Sequence, residues 1–116
     1  MVSQGDVYWL DEAEPSGSEP GWRRPGIVVQ NDALNESRLG TVLLVLLTSN
    51  LKRESALGNV RIPAREAGLA IDSVALVAQL VTVDRRFLGE AVGNVGRQRL
   101  RQIVRGIALI LEPVTL

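Results

Sequence analysis

The sequence predicts a mainly β fold, a small antiparallel barrel or sheet, with one α-helix packed at its C-terminal end. Three observations carry this. Short runs rich in Val, Ile and Leu succeed one another from Val7 to Val95, each bounded by Gly, Pro, Asn or Asp. The longest aliphatic run, Val42 to Leu47, is apolar on both faces of a strand, the mark of a central position. Helical periodicity is sustained only near the end, over residues 97–111. A chain of 116 residues corresponds to a single domain, 1–116, at ~150 residues per domain.

The elements follow in order. Gly5 to Leu10 reads as a strand in which Val7 and Trp9 alternate with Tyr8 and Leu10, with Trp9 expected in the core. Residues 11–23 form an acidic loop broken by Pro15, Gly17, Pro20 and Gly21. Arg24 to Gln30 resumes as a strand, and Asn31 to Asn35 as a turn or a single helical turn. Thr41 to Thr48 is the central strand, and Ser49 to Ser55 a polar loop. Val60 to Ile62 is a short strand whose ladder Pro63 ends. Arg65 to Gly68 reads as a helical turn closed by glycine, and Ser73 to Val83 as a long β-branched strand. Asp84 can cap a short helix over Arg85 to Leu88, and Ala91 to Val95 makes a last short strand. In the final helix Leu100, Ile103, Val104, Ile107, Ala108 and Leu111 form one apolar stripe, and Pro113 stops it.

Composition narrows the chemistry. The chain contains no cysteine and no histidine. That removes disulfides, thiolate metal sites, the usual general base and every Ser-His or Cys-His nucleophile. Neither cofactor nor metal is expected. No run approaches the ~20 apolar residues of a membrane span, and the N-terminus lacks the pattern of a signal peptide, so a cytoplasmic protein is expected. Net charge is zero, yet residues 1–58 carry 8 acids and 5 bases while residues 59–116 carry 5 acids and 8 bases. Of the 13 basic residues only Lys52 is not arginine, which suits bidentate phosphate binding or simply reflects a genome rich in GC. Arg97, Arg101 and Arg105 share one face of the last helix, read here as solvated.

Five strings occur in order: Gly5-Asp6-Val7-Tyr8-Trp9, Gly17 to Pro25 (GSEPGWRRP), Val28-Val29-Gln30-Asn31-Asp32, Leu47-Thr48-Ser49-Asn50, and Asp72 to Asp84 (DSVALVAQLVTVD). The ordered set resembles the MazF/PemK-type toxin endoribonucleases of toxin–antitoxin pairs over a core of residues 5–112. The resemblance implies an SH3-like barrel with a C-terminal helix, the CcdB/MazF-like toxin fold, assembled as a homodimer. It implies metal-independent cleavage of single-stranded mRNA, and inhibition by an antitoxin protein with an acidic, flexible tail. The family's Arg before Pro and Thr before Ser fall on Arg24 and Thr48, its catalytic pair.

Residue chemistry accords with these roles. RNA supplies its own nucleophile, the 2′-OH, so the protein need only move protons and stabilise charge. Arg24 fits phosphate oxygens bidentately and is too weak an acid to serve as a base. Thr48 can donate a hydrogen bond to a phosphate oxygen or to the leaving group. Glu19 either accepts the 2′-OH proton or holds Arg24. Ser18, Arg23 and Ser49 are candidate RNA contacts beside these. Trp22 is either a base-stacking platform or a loop anchor, and Gln79 reads a base edge or is a satisfied buried amide.

Three departures stand out: Pro20 and Trp22 replace smaller or more flexible residues of the family's loop, Val81 stands where an arginine is frequent, and Leu76-Val77-Ala78 lacks the Arg and Asp that serve a PemK-like subgroup. Two alternatives remain at this point, a CcdB-like gyrase-targeting toxin and a weakly active, antitoxin-binding homologue.

Overall fold

The structure, a computed structural model, describes residues 1–11 and 23–114. Six strands, β1 (Asp6–Asp11), β2 (Arg23–Val28), β3 (Thr41–Thr48), β4 (Val60–Ile62), β5 (Ser73–Asp84) and β6 (Gly93–Asn94), form one antiparallel sheet in the order β4-β5-β3-β2-β1-β6. The sheet curls into a half-barrel. Helix α1 (Asp32–Asn35) joins β2 to β3, α2 (Ala64–Ala67) follows β4, and α3 (Gly96–Leu111) closes the chain. The predicted mainly β fold with a C-terminal helix is the observed one.

The period-two alternation of side chains along a strand sorts them into two apolar layers. On β3, Val45 and Leu47 face a core shared with Val7, Ile27, Ile62, Val77 and Ile103, while Val42, Leu44 and Leu46 face a second core with Tyr8, Leu10 and Val28. A strand apolar at every position is thus buried on both faces, as Val42 to Leu47 requires. Burial pushes the Tyr8 phenol above its ordinary pKa, and the neighbouring Asp6 carboxyl adds to this.

Strand β5 does not alternate uniformly. Val45 pairs with Leu80 but Leu47 pairs with Ala75, so the single residue Leu46 lies opposite the stretch Leu76–Gln79. This bulge inserts three extra residues, an odd number, and therefore flips the faces. Ala75 and Val77 lie in the first core before it, and Val81 and Val83 pack on the second core after it.

Helix α3 lies across the first core through Leu100, Ile103, Ile107 and Ile110. This seam is rotated from the expected stripe: Val104 is 43% exposed and Leu111 66% exposed. The rotation follows from Gly106, which is buried against the backbone of Gly58. A Cβ on Gly106 would collide with the Gly58 carbonyl oxygen, and Gly58 itself has φ +80°, a conformation that favours glycine. The close approach of these two backbones fixes which face of α3 turns inward.

Local signals set the connections. Asn31 caps α1 by accepting the Leu34 N–H at 3.0 Å, and Asp84 caps the 3-10 turn Arg85–Phe87 by accepting the Arg86 N–H at 2.8 Å. Gly68 ends α2 in the left-handed region, φ +71°. Among the described residues no helix is long and apolar enough to cross a membrane.

Candidate active site

The ends of β1, β2, β3 and β5 enclose an open groove of about 690 Å³. Arg24 enters from β2, Thr48 and Ser49 from the end of β3, and Gln79 from the bulge of β5. Antiparallel pairing brings the start of β2 beside the end of β3, so residues 24 and 48 meet although the connection through α1 lies between them.

Arg24 is half-buried. Its Nη1 lies 3.4 Å from Gln79 Oε1 and its Nη2 lies 3.5 Å from the Leu47 carbonyl oxygen, two long donor contacts that help to orient the guanidinium. The alternation of β5 before the bulge, with Ala75 and Val77 inward, would send residue 79 into the core beneath α3; the bulge instead delivers the Gln79 amide to Arg24. Gln79 is therefore neither a buried amide nor free of protein partners, as its carbonyl already accepts from Arg24. Its NH2 group makes no hydrogen bond among the described residues.

Thr48 is half-buried, and its Oγ1 accepts the Asn50 N–H at 3.2 Å, which turns the chain into the 3-10 turn Leu51–Ser55. With that N–H accepted, the hydroxyl proton remains able to point into the groove. Ser49 is exposed on the same wall. Arg23 also lines the groove, but its Nε pairs with Asp11 at 3.2 Å and its guanidinium stacks 5.6 Å from the Trp9 ring centroid. Glu19, Ser18 and Trp22 lie outside the described residues.

Trp9 corrects an expectation. It is half-buried and forms part of the groove wall rather than the core. Trp9 shares the face of Val7 but pairs with Pro25 near the end of the β1–β2 ladder, where the ring meets the Arg23 guanidinium.

The groove also contains residues that strand patterning did not single out. Arg53, exposed on the 3-10 turn after β3, reaches its rim, and Leu69, Ala70 and Ile71 form the opposite lip, with Ile71 60% exposed. The lip is braced by Asp72, which accepts the Ala64 N–H at 2.8 Å and pairs with Arg61 at 3.1 Å. The Ala64 N–H, and then Arg61, hold the Asp72 carboxyl below its ordinary pKa. An arginine five residues beyond a strand end carries no periodic signal, so only its charge marked Arg53. The groove therefore offers arginines and hydroxyls for phosphate, and an amide and an indole for bases.

Residues 3–111 match the family described as PemK-like, MazF-like toxin of type II toxin-antitoxin system. The chain is 38% identical over 112 residues to endoribonuclease MazF6 of Mycobacterium tuberculosis, covering 97% of this chain and 98% of that protein. It is 29% identical to endoribonuclease EndoA of Bacillus subtilis, over 96% of this chain and 95% of the relative. Among solved structures, MazE-MazF from Deinococcus radiodurans superposes with a TM-score of 0.77 at 23% identity, over 95% of each chain. A mycobacterial endoribonuclease in complex with its cognate antitoxin superposes at 0.76 and 22% identity, over 99% of this chain and 100% of that one. The sequence identity to curated relatives, the matched family and the shared half-barrel agree: the chain belongs to the PemK-like, MazF-like toxins of type II toxin-antitoxin systems.

Proposed function

We propose that this toxin is a sequence-specific endoribonuclease that cuts single-stranded mRNA by attack of the RNA's own 2′-OH, without a metal ion. The observation that carries the reading is the meeting of Arg24, Thr48 and Gln79 in one open groove, in a chain without histidine or cysteine. The 2′-oxygen forms a bond to phosphorus and the bond to the 5′-oxygen breaks, leaving a 2′,3′-cyclic phosphate and a 5′-OH. Arg24 stabilises the added charge on the phosphoryl oxygens, and Arg53 draws a neighbouring phosphate to the rim. The Thr48 hydroxyl donates to a phosphoryl oxygen or to the departing 5′-oxygen. Glu19 takes the 2′-OH proton or holds Arg24. Ser18, Arg23, Ser49 and Trp22 contact the RNA.

The protein works as a cytoplasmic homodimer, and the acidic tail of a cognate antitoxin competes with RNA for the groove. The fold by itself is equally that of a gyrase-directed toxin. The groove's three arginines and its threonine favour phosphodiester chemistry, which a protein-directed poison does not need.

The test is to incubate the purified protein with mixed-sequence RNA in EDTA and map the ends. Cut products with cyclic phosphate and 5′-OH termini are expected, as is resistance of a substrate with a 2′-deoxy residue at the scissile position. Activity abolished by EDTA and restored by Mg²⁺, or cleavage of the 2′-deoxy substrate, sinks the reading.

A further inference from the structure

Helix α3 carries a second cationic surface, on the far side of the protein from Arg24. Arg97, Arg101 and Arg105 line an open groove of about 440 Å³ with Gln4, Leu100 and Val104. Gln4 lies just before the start of β1, whereas Arg24 pairs with Leu10 near the other end of that strand, ~20 Å away at the rise of an extended chain.

All three arginines are exposed, and among the described residues none forms an ion pair or a side-chain hydrogen bond. Arg99, on the same helix, contrasts with them: it grips Glu66 through two bonds of 2.8 and 3.0 Å. From Gly96 to Leu111 the helix has no acidic residue.

This arrangement opposes the helix's own stability. Arginines at successive turns repel each other. Arg97 and Arg101 also occupy the N-terminal half, where the helix dipole favours anions over cations. A surface that departs from local preference in two ways without an internal partner is suited to an external one.

We infer that this face of α3 is a docking site for an acidic, amphipathic polypeptide segment. The arginines, one turn or ~6 Å apart, match carboxylates on one side of an extended or helical segment. Leu100 and Val104 between them give apolar side chains a seat. Single-stranded RNA fits less well, because the groove has no aromatic side chain on which a base can stack. A second copy of the chain fits less well too, since a two-fold contact through this face would oppose arginine with arginine.

The experiment uses the full chain and two fluorescein-labelled synthetic peptides, one of repeating Glu-Glu-Leu-Leu units and one with Gln for Glu, followed by anisotropy. The acidic peptide binds and the neutral one does not. Arg97→Ala/Arg101→Ala/Arg105→Ala weakens peptide binding about tenfold, as expected for three exposed charge pairs, while RNA cleavage is unchanged. Arg24→Ala, which removes only the groove's share of acidic-peptide binding, weakens it less than the triple variant does. The triple variant removes repulsion and melts no lower than wild type; the single change Arg101→Gln gives a smaller loss in the same direction and serves if the triple variant does not fold. Unchanged peptide affinity in either folded variant overturns the inference. So does equal binding of the neutral peptide, a loss of peptide binding in Arg24→Ala as large as the triple variant's, weakened oligouridylate binding in the triple variant, or a change in its sedimentation that assigns the face to a second copy.

Discussion

Two surfaces of this toxin present arginine to solvent, and they do so differently. In the groove, Arg24 is half-buried and oriented by the Gln79 amide and the Leu47 carbonyl. On α3, Arg97, Arg101 and Arg105 project from a helix with no acid along its length. A guanidinium already oriented by the protein loses little freedom when a phosphate arrives, which suits the stabilisation of a transition state. A guanidinium without protein partners retains its rotamer freedom and gives it up only to a ligand, which suits recognition of a carboxylate-bearing chain. On the proposed function and the inferred docking site, one residue type would serve preorganised chemistry in one place and adaptable docking in another, with the neighbours making the difference.

The comparison breaks most sharply at Arg24. Arg24→Ala is expected to lower the cleavage rate about a hundredfold, the ~3 kcal/mol typical of a donor aimed at developing charge. Arg23→Ala, which removes an exposed side chain already paired with Asp11, changes it only a few-fold. Single-turnover cleavage of one RNA by both variants checks this; an inactive Arg23 variant beside an active Arg24 variant reverses the assignment.

Next is the platform that presents the α3 arginines. Gly106→Ala pushes a methyl group into the Gly58 backbone and is expected to cost about 2 kcal/mol, as overpacking does. Chemical denaturation would read a lowered midpoint, and peptide binding would weaken with it.

Thr48→Ala is expected to slow cleavage about tenfold, the ~1.4 kcal/mol of a neutral hydrogen bond. It also removes the acceptor of the Asn50 N–H. Thr48→Ser keeps the hydroxyl and should restore most of the rate, which separates the chemical role from the turn.

The smallest effect concerns Arg99, the paired counterpart of the α3 stripe. The Arg99 guanidinium beside Glu66 holds that carboxyl below its ordinary pKa. Because the folded value is the lower one, the pair's stabilisation is fully present above the unfolded value of ~4.3 and is lost as pH falls through the folded value. Glu66→Gln should therefore melt slightly lower than wild type at neutral pH, by up to ~1 kcal/mol for a partly exposed pair, and the difference should vanish in acid. Melting curves at several pH values test the sign.

The two α3 readings show where sequence reasoning stopped. Helical period placed the helix within a residue of its start and identified the arginine face, but it assigned Val104 and Leu111 to the buried stripe. The true seam depends on the Gly58–Gly106 approach, between residues far apart in the chain.

By itself the sequence determined the elements. Alternation and turn residues are local, so Thr41–Thr48 and Val60–Ile62 were legible to the residue, as was Asp84 as a cap. The ordered motifs also marked Arg24, Thr48 and Gln79. Tertiary structure alone decided the β5 bulge that turns Gln79 toward Arg24, the place of Trp9 on the groove wall, and the rim made by Arg53 and Leu69 to Ile71. Period reports which side of a strand or helix is apolar. It carries nothing about pairing register or about which distant backbone approaches, and a shift of an odd number of residues in register sends a side chain to the other face.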